Sequence, residues 1–192
     1  MNSSQSNDKG FTGLEAAIVL IAFVVVAAVF SYVVLGAGFF TTQKSQETVY
    51  KGVEQATSNI QVIGNVYGYG TGTAGSMDIQ KLQFNIGLAP GAPSLDISKM
   101  IIVVSQPGVA TITQQVYTSG TASATAFSVT NAATAAAMPT LAGQDQGTVT
   151  VYLPAVLNKN KVINVELRPA VGAALPFTRT APATIQSTQI LY

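Results

Sequence analysis

Lys9-Gly10-Phe11-Thr12-Gly13-Leu14-Glu15-Ala16-Ala17-Ile18-Val19-Leu20-Ile21-Ala22-Phe23-Val24-Val25-Val26-Ala27-Ala28-Val29-Phe30 joins a short polar leader to an apolar run that continues to Phe40. Only Ser31, Tyr32, Gly36 and Gly38 interrupt it. From Ala16 to Phe40 the run is about 25 residues, against the roughly 20 that a membrane-spanning helix needs. Every face of such a helix is apolar, so periodicity says nothing about which face is covered. The order of segments is informative. A secretory signal carries its cleavage site after the apolar stretch. Here a charged leader ending in Lys9-Gly10 precedes it. A cut between Gly10 and Phe11 leaves the apolar helix on the mature chain, which must then hide it in lipid or against other copies of itself.

Past Phe40 the pattern becomes that of a water-compatible helix. Gln46, Val49, Val53, Ala56, Ile60 and Ile63 step by three and four residues. Lys44, Glu47, Lys51 and Glu54 lie on other faces, with Glu47 four residues before Lys51. No proline occurs before Pro90. The reading is one continuous helix over 11–63, on the order of 80 Å long at 1.5 Å per residue. That length exceeds a compact domain of this size. Gly64, Gly68, Gly70, Gly72 and Gly75 then read as a flexible neck over 64–75.

Residues 76–192 carry β signals. Leu82, Phe84, Ile86 and Leu88 alternate with polar or small residues, as do Val149, Val151 and Leu153, and Ile163, Val165 and Leu167. Met100 to Val104 is a continuous apolar run, expected as a central strand covered on both sides. Val109–Thr118, Ala124–Thr130 and Thr184–Tyr192 are further candidates. Ser119 to Gly147, rich in Thr, Ala and Ser, is expected as an edge strand with long surface loops. About seven strands in roughly 120 residues predict an antiparallel β-sandwich of immunoglobulin-like type. The fold class is therefore α+β: a long N-terminal hydrophobic helix followed by that outer domain.

Composition closes many functional routes. Charged residues are 9% of the chain, far below the roughly 25% of an average soluble domain. The net charge of +1 steers it toward no nucleic acid. The chain has no cysteine and no histidine. That removes disulfides, thiolate metal sites, the usual general base and the commonest metal ligand. Asp78, Asp96 and Asp145 are too scattered to propose a metal site. No phosphate-binding G-x-x-x-x-G-K-[ST] loop occurs. The sequence calls for no catalytic residues, no metal and no cofactor.

The stretch Lys9 to Phe30, with its continuation Gly38-Phe39-Phe40-Thr41-Thr42-Gln43-Lys44-Ser45, closely resembles the N-terminus of archaeal flagellins (archaellins), which are type IV pilin-like proteins. The resemblance is specific over about the first 60 residues and weaker beyond. It implies a structural subunit that polymerises into the helical filament of the archaeal flagellum, an extracellular cell-surface filament for swimming. An adhesive type IV-like pilin for surface attachment is the alternative on the same leader and helix. It also implies partners: further copies or sibling archaellins, a prepilin peptidase, a membrane platform and a cytoplasmic ATPase that supplies the energy. The precursor would pass through the inner membrane.

By this resemblance residues 1–10 are a leader cut between Gly10 and Phe11, with Lys9, Gly10 and Gly13 read by the peptidase. Glycines leave the backbone open for an extended peptide to enter a protease cleft, and Lys9 holds the leader on the cytoplasmic side. Glu15 either pairs with the new amine on Phe11, within or between chains, or favours the helix start through the dipole. Ile18, Ile21, Phe23, Val26, Phe30, Val34 and Phe39 are expected to pack the filament core. Ala16, Ala17, Ala22, Ala27, Ala28, Gly36 and Gly38 allow close approach. Lys44, Glu47, Lys51 and Glu54 either form ion pairs between subunits where core becomes sheath or make a solvated face.

Overall fold

The computed structural model describes the backbone of residues 5–73 and 76–192 and the side chains of residues 13–73 and 77–192. Ala74 and Gly75 of the expected neck, and the side chains of Lys9 and Phe11, lie outside the described residues. The chain divides into two compact units, one ending at Lys51 and one spanning Gly52–Tyr192.

The helix α1 spans Gln5–Thr57. It begins six residues before Phe11, so the Gly10–Phe11 bond lies in helical backbone rather than at a helix start. It also stops six residues before Ile63. Thr57, Ser58 and Asn59 end it locally. The Ser58 N–H and hydroxyl both donate to the Glu54 carbonyl, at 2.9 and 2.7 Å, and the Asn59 N–H donates to the Thr57 carbonyl at 2.8 Å. Such side-chain bonds compete with the helical ladder.

Among the described residues the second unit holds eleven strands. They are β1 Ile60–Thr73, β2 Ser76–Leu88, β3 Leu95–Asp96, β4 Ile101–Ser105, β5 Thr113–Thr118, β6 Ala126–Asn131, β7 Thr140–Leu141, β8 Gln146–Leu157, β9 Val162–Arg168, β10 Leu175–Thr180 and β11 Thr188–Leu191. Nine form one sheet in the order β10-β9-β4-β5-β6-β8-β2-β1-β11, and β3 pairs with β7 apart from it. All pairs are antiparallel except β5 with β6. The β-rich, largely antiparallel domain is as expected. Its two walls belong to one curled sheet: Phe84 on β2 meets Phe177 on β10 edge-on, ring centroids 5.1 Å apart, though the strands are distant in sheet order.

The Gly-rich segment is therefore a strand, not a neck, over its described residues. Ile60 is buried in the domain core, where its β-branched side chain suits a pleated surface better than a helix. Gly68 is needed because a Cβ there would lie 2.9 Å from Ile79, and one at Gly70 would lie 2.7 Å from the Gln186 carbonyl. These glycines serve close packing.

Leu82, Phe84, Ile86, Val149, Val151, Ile163, Val165 and Leu167 all point into the core. Two strand expectations change. β6 is an interior strand rather than an edge, because Phe127 and Val129 are fully buried between β5 and β8. β4 is interior, but only one of its faces is fully covered: Ile102 and Val104 are buried, while Ile101 is 37% exposed. Beyond the short β6, the β8 carbonyls of Tyr152 and Ala155 accept from the side-chain amides of Gln115 at 2.5 Å and Gln106 at 2.7 Å. Those amides satisfy β8 carbonyls past Ser128–Thr150, the last pair that β6 makes with β8.

Candidate polymerisation surface

From Gly13 onward the apolar segment of α1 is exposed in the single chain on every side. Phe23 is 76% and Phe30 70% exposed, and Ile18, Ile21, Val26, Val34 and Phe39 are each more than half exposed. By length and composition this helix can cross a membrane, with a mean hydropathy of 3.0 in its most apolar window. Fully burying a side chain of this size contributes roughly 1.5–3 kcal/mol. The sum over the segment is tens of kcal/mol, so water is not its resting environment.

The small residues add a second observation. Among the described residues, and apart from the helix's own adjoining backbone, nothing lies within 4 Å of a Cβ built at Gly13, Gly36, Gly38 or Gly52. Each glycine inside a helix costs roughly 0.5–1 kcal/mol relative to alanine. No contact among the described residues accounts for that cost. Thr41 and Thr42 donate their hydroxyls to the Ala37 and Gly38 carbonyls at 2.8 and 2.9 Å, which hides two polar groups along the same surface.

At the end of the apolar run a charged turn is organised within the chain. Glu47 accepts from Lys44 at 2.6 Å and from Lys51 at 2.7 Å, so one carboxylate holds two ammonium groups. Glu54 contributes its carbonyl to the helix terminus. Glu15 is exposed one helical turn after Phe11. Gly10 and Phe11 lie within α1, so a protease that needs an extended strand must unwind this turn, and glycines at 10 and 13 weaken it. No group of three or more His, Cys, Asp or Glu placed to hold a metal occurs among the described residues.

An exposed apolar helix followed by a β-domain with its own closed core defines a subunit whose helix must be covered from outside the chain, by lipid or by other copies. The comparisons give the class its family. The model for archaeal-type flagellin matches residues 10–179. The chain is 40% identical over 196 residues to a probable flagellin 1 of Archaeoglobus fulgidus, covering 96% of each. It is 34% identical over 194 residues to a probable flagellin 1 of Aeropyrum pernix, covering 92% and 94%. Its structure is similar to the archaeal flagellum of Methanospirillum hungatei strain JF1, with a TM-score of 0.72, 34% identity, and 94% and 99% of the two chains covered. The chain belongs to the archaeal-type flagellin family. It is a structural subunit that self-assembles into the extracellular filament used for motility.

Proposed function

We propose that assembly is a handover of α1 from lipid to sister helices. A membrane-embedded aspartic prepilin peptidase removes residues 1–10, reading Lys9, Gly10 and Gly13, and leaves Phe11 as the new N-terminus. The chain then waits in the inner membrane, held by Ala16 to Phe40. Leaving for water would cost tens of kcal/mol. Leaving for a bundle of identical helices is close to neutral in hydrophobic terms, and close packing through small residues provides the contact. Ile18, Ile21, Phe23, Val26, Phe30, Val34 and Phe39 become core residues. Repeated head-to-tail contacts that do not close build a helical filament. A cytoplasmic ATPase and a membrane platform supply the energy and the base, since the chain carries no phosphate-binding loop.

Glu15 is one acid at the rim of an apolar segment, where an uncompensated charge is expensive. Cleavage creates an amine on Phe11, four residues away, and we assign Glu15 to pair with such an amine. The Lys44–Glu47–Lys51 cluster, already linked within the chain, lies where neighbouring charged turns would meet in the bundle, with Glu54 beside it. The single observation that carries the proposal is the complete exposure of the apolar helix surface. N-terminal sequencing of the mature protein tests the processing step. A start at Phe11 is expected; retention of Met1 would remove it.

A further inference from the structure

The outward face of β4 and β5 exposes two apolar side chains, Ile101 and Val116, with the polar Gln114 exposed beside them and Val103 buried within the chain. Ile101 on β4 stands opposite Val116 on β5, and Val103 opposite Gln114. Val116 is 57% exposed, and Ile112, the residue just before β5, is 67% exposed. Strand alternation places Gln114 and Val116 on one face and Gln115 on the other.

β5 is thus inside out. Gln115 is fully buried. Its amide has a purpose, since it satisfies the Tyr152 carbonyl of β8. Its Oε1 is buried without a hydrogen-bond partner, which is costly for a polar atom. Val116, pointing outward, has no such explanation within the chain. β4 tells the same story: Met100 to Val104 reads as a strand covered on both faces, and the single chain leaves Ile101 partly bare.

The border of this face is balanced in charge. On β9, Arg168 stands beside Ile101 and Glu166 beside Val103. The two side chains pair with each other at 2.8 Å. An apolar centre with a polar rim is the usual anatomy of an interface, and a rim carrying both signs does not repel a domain of the same composition.

We propose that this face docks on a second copy of this chain in the filament. The occupant follows from the assembly. The chain self-assembles, so linking helices into a bundle raises the local concentration of β-domains far above that of any solute. The contact joins Ile101 and Val116 to a different surface of the neighbour, as a non-closing polymer requires. The inference rests on the filament reading.

The absence of cysteine makes the test clean. A Val116→Cys chain is co-expressed with the unmodified chain so that mosaic filaments form, and the new thiol is reacted with a maleimide carrying a photoreactive arm. Reactivity is compared between filaments and the same subunits dispersed in detergent. The expected result is loss of most of the reactivity in filaments, with photo-adducts from the residual labelling having the mass of two copies of this chain. Undiminished reactivity in intact filaments, or an adduct to a different protein, would overturn the proposal. Failure of the unmodified chain to form filaments at all would instead strike the filament reading.

Discussion

Thr180 and Tyr192 exchange backbone hydrogen bonds, the Thr180 N–H donating to the Tyr192 carbonyl at 2.6 Å and the Tyr192 N–H donating to the Thr180 carbonyl at 3.3 Å. Thr180 ends β10 and Tyr192 follows β11, the two outermost strands of the nine-stranded sheet. One residue pair therefore joins the first edge to the last. Free strand edges are templates for unwanted pairing, and a filament subunit is surrounded by copies of its own edges.

Deleting Tyr192 removes both bonds, each contributing about 0.5–1.5 kcal/mol net. The shortened chain should melt at a lower temperature in detergent, by near-ultraviolet circular dichroism, and its dispersed form should aggregate faster. Leu191→Ala should cost more, about 2–5 kcal/mol, because Leu191 is a buried core residue. Equal stability of all three chains would mean that the C-terminus does not close the sheet.

Gly172 stands at another close approach, beside the helix end. It has a φ of +103°, and a Cβ there would lie 1.9 Å from the Ser58 carbonyl oxygen. Gly91 has a φ of +82° and open space around it. Gly91→Ala should cost about 1–2 kcal/mol, the penalty of the left-handed conformation alone. Gly172→Ala should cost clearly more, since the backbone itself must move. Ala135, at a φ of +57°, should gain up to about 1–2 kcal/mol on conversion to glycine. Denaturant melts of the three variants check the order.

Gly36 and Gly38 should separate the stability of the helix from that of the polymer. Gly38→Ala should strengthen the isolated helix by about 0.5–1 kcal/mol. Gly38→Leu should leave helicity in detergent at or above that of the parent chain and sharply reduce filament yield, because close backbone approach is blocked. Unchanged filament yield from Gly38→Leu and Gly36→Leu together would remove the glycines from the packing surface.

Asp96 gives the β-domain a defined acid sensitivity. The Ser98 hydroxyl, followed by the Lys99 ammonium at 2.9 Å, holds the Asp96 carboxyl below the usual carboxylate range. A depressed pKa in the folded state means that its stabilisation is present above the unfolded value of about 3.9 and is lost as the pH falls through the folded value. Asp96→Asn should flatten the stability profile of the full chain below about pH 4 and leave the profile near neutrality parallel to that of the parent. A variant whose acid limb is as steep as the parent's would contradict the assignment.

The long helix was legible because nothing between Ala16 and Phe40 competes with it. Its end was not. Ile60 and Ile63 satisfy helical spacing and β-propensity alike, and the tertiary burial of Ile60 decided between them. Gly68 and Gly70 look like flexibility in one dimension; only Ile79 and Gln186, brought close by the fold, reveal them as contact positions. β5 concealed its sidedness by placing Gln115 inward and Val116 outward. The closure at Thr180 and Tyr192 is made of backbone atoms and leaves no side-chain signature. Along α1 the reverse holds: the exposed apolar residues from Ile18 to Phe39 can be counted directly, and the four-residue spacing of Glu47 and Lys51 already states a pairing within the chain.

The central claim is that the apolar surface of α1, bare in the single chain, is covered by other copies once the chain leaves the membrane. Sedimentation and electron microscopy of material sheared from cells into detergent-free buffer test it most directly, with Phe23→Asp beside the parent chain. The expected result is parent chain in the pellet as continuous filaments and variant chain retained with the cells. Parent chain dispersed as single soluble molecules, or filaments of undiminished yield from Phe23→Asp, would contradict it.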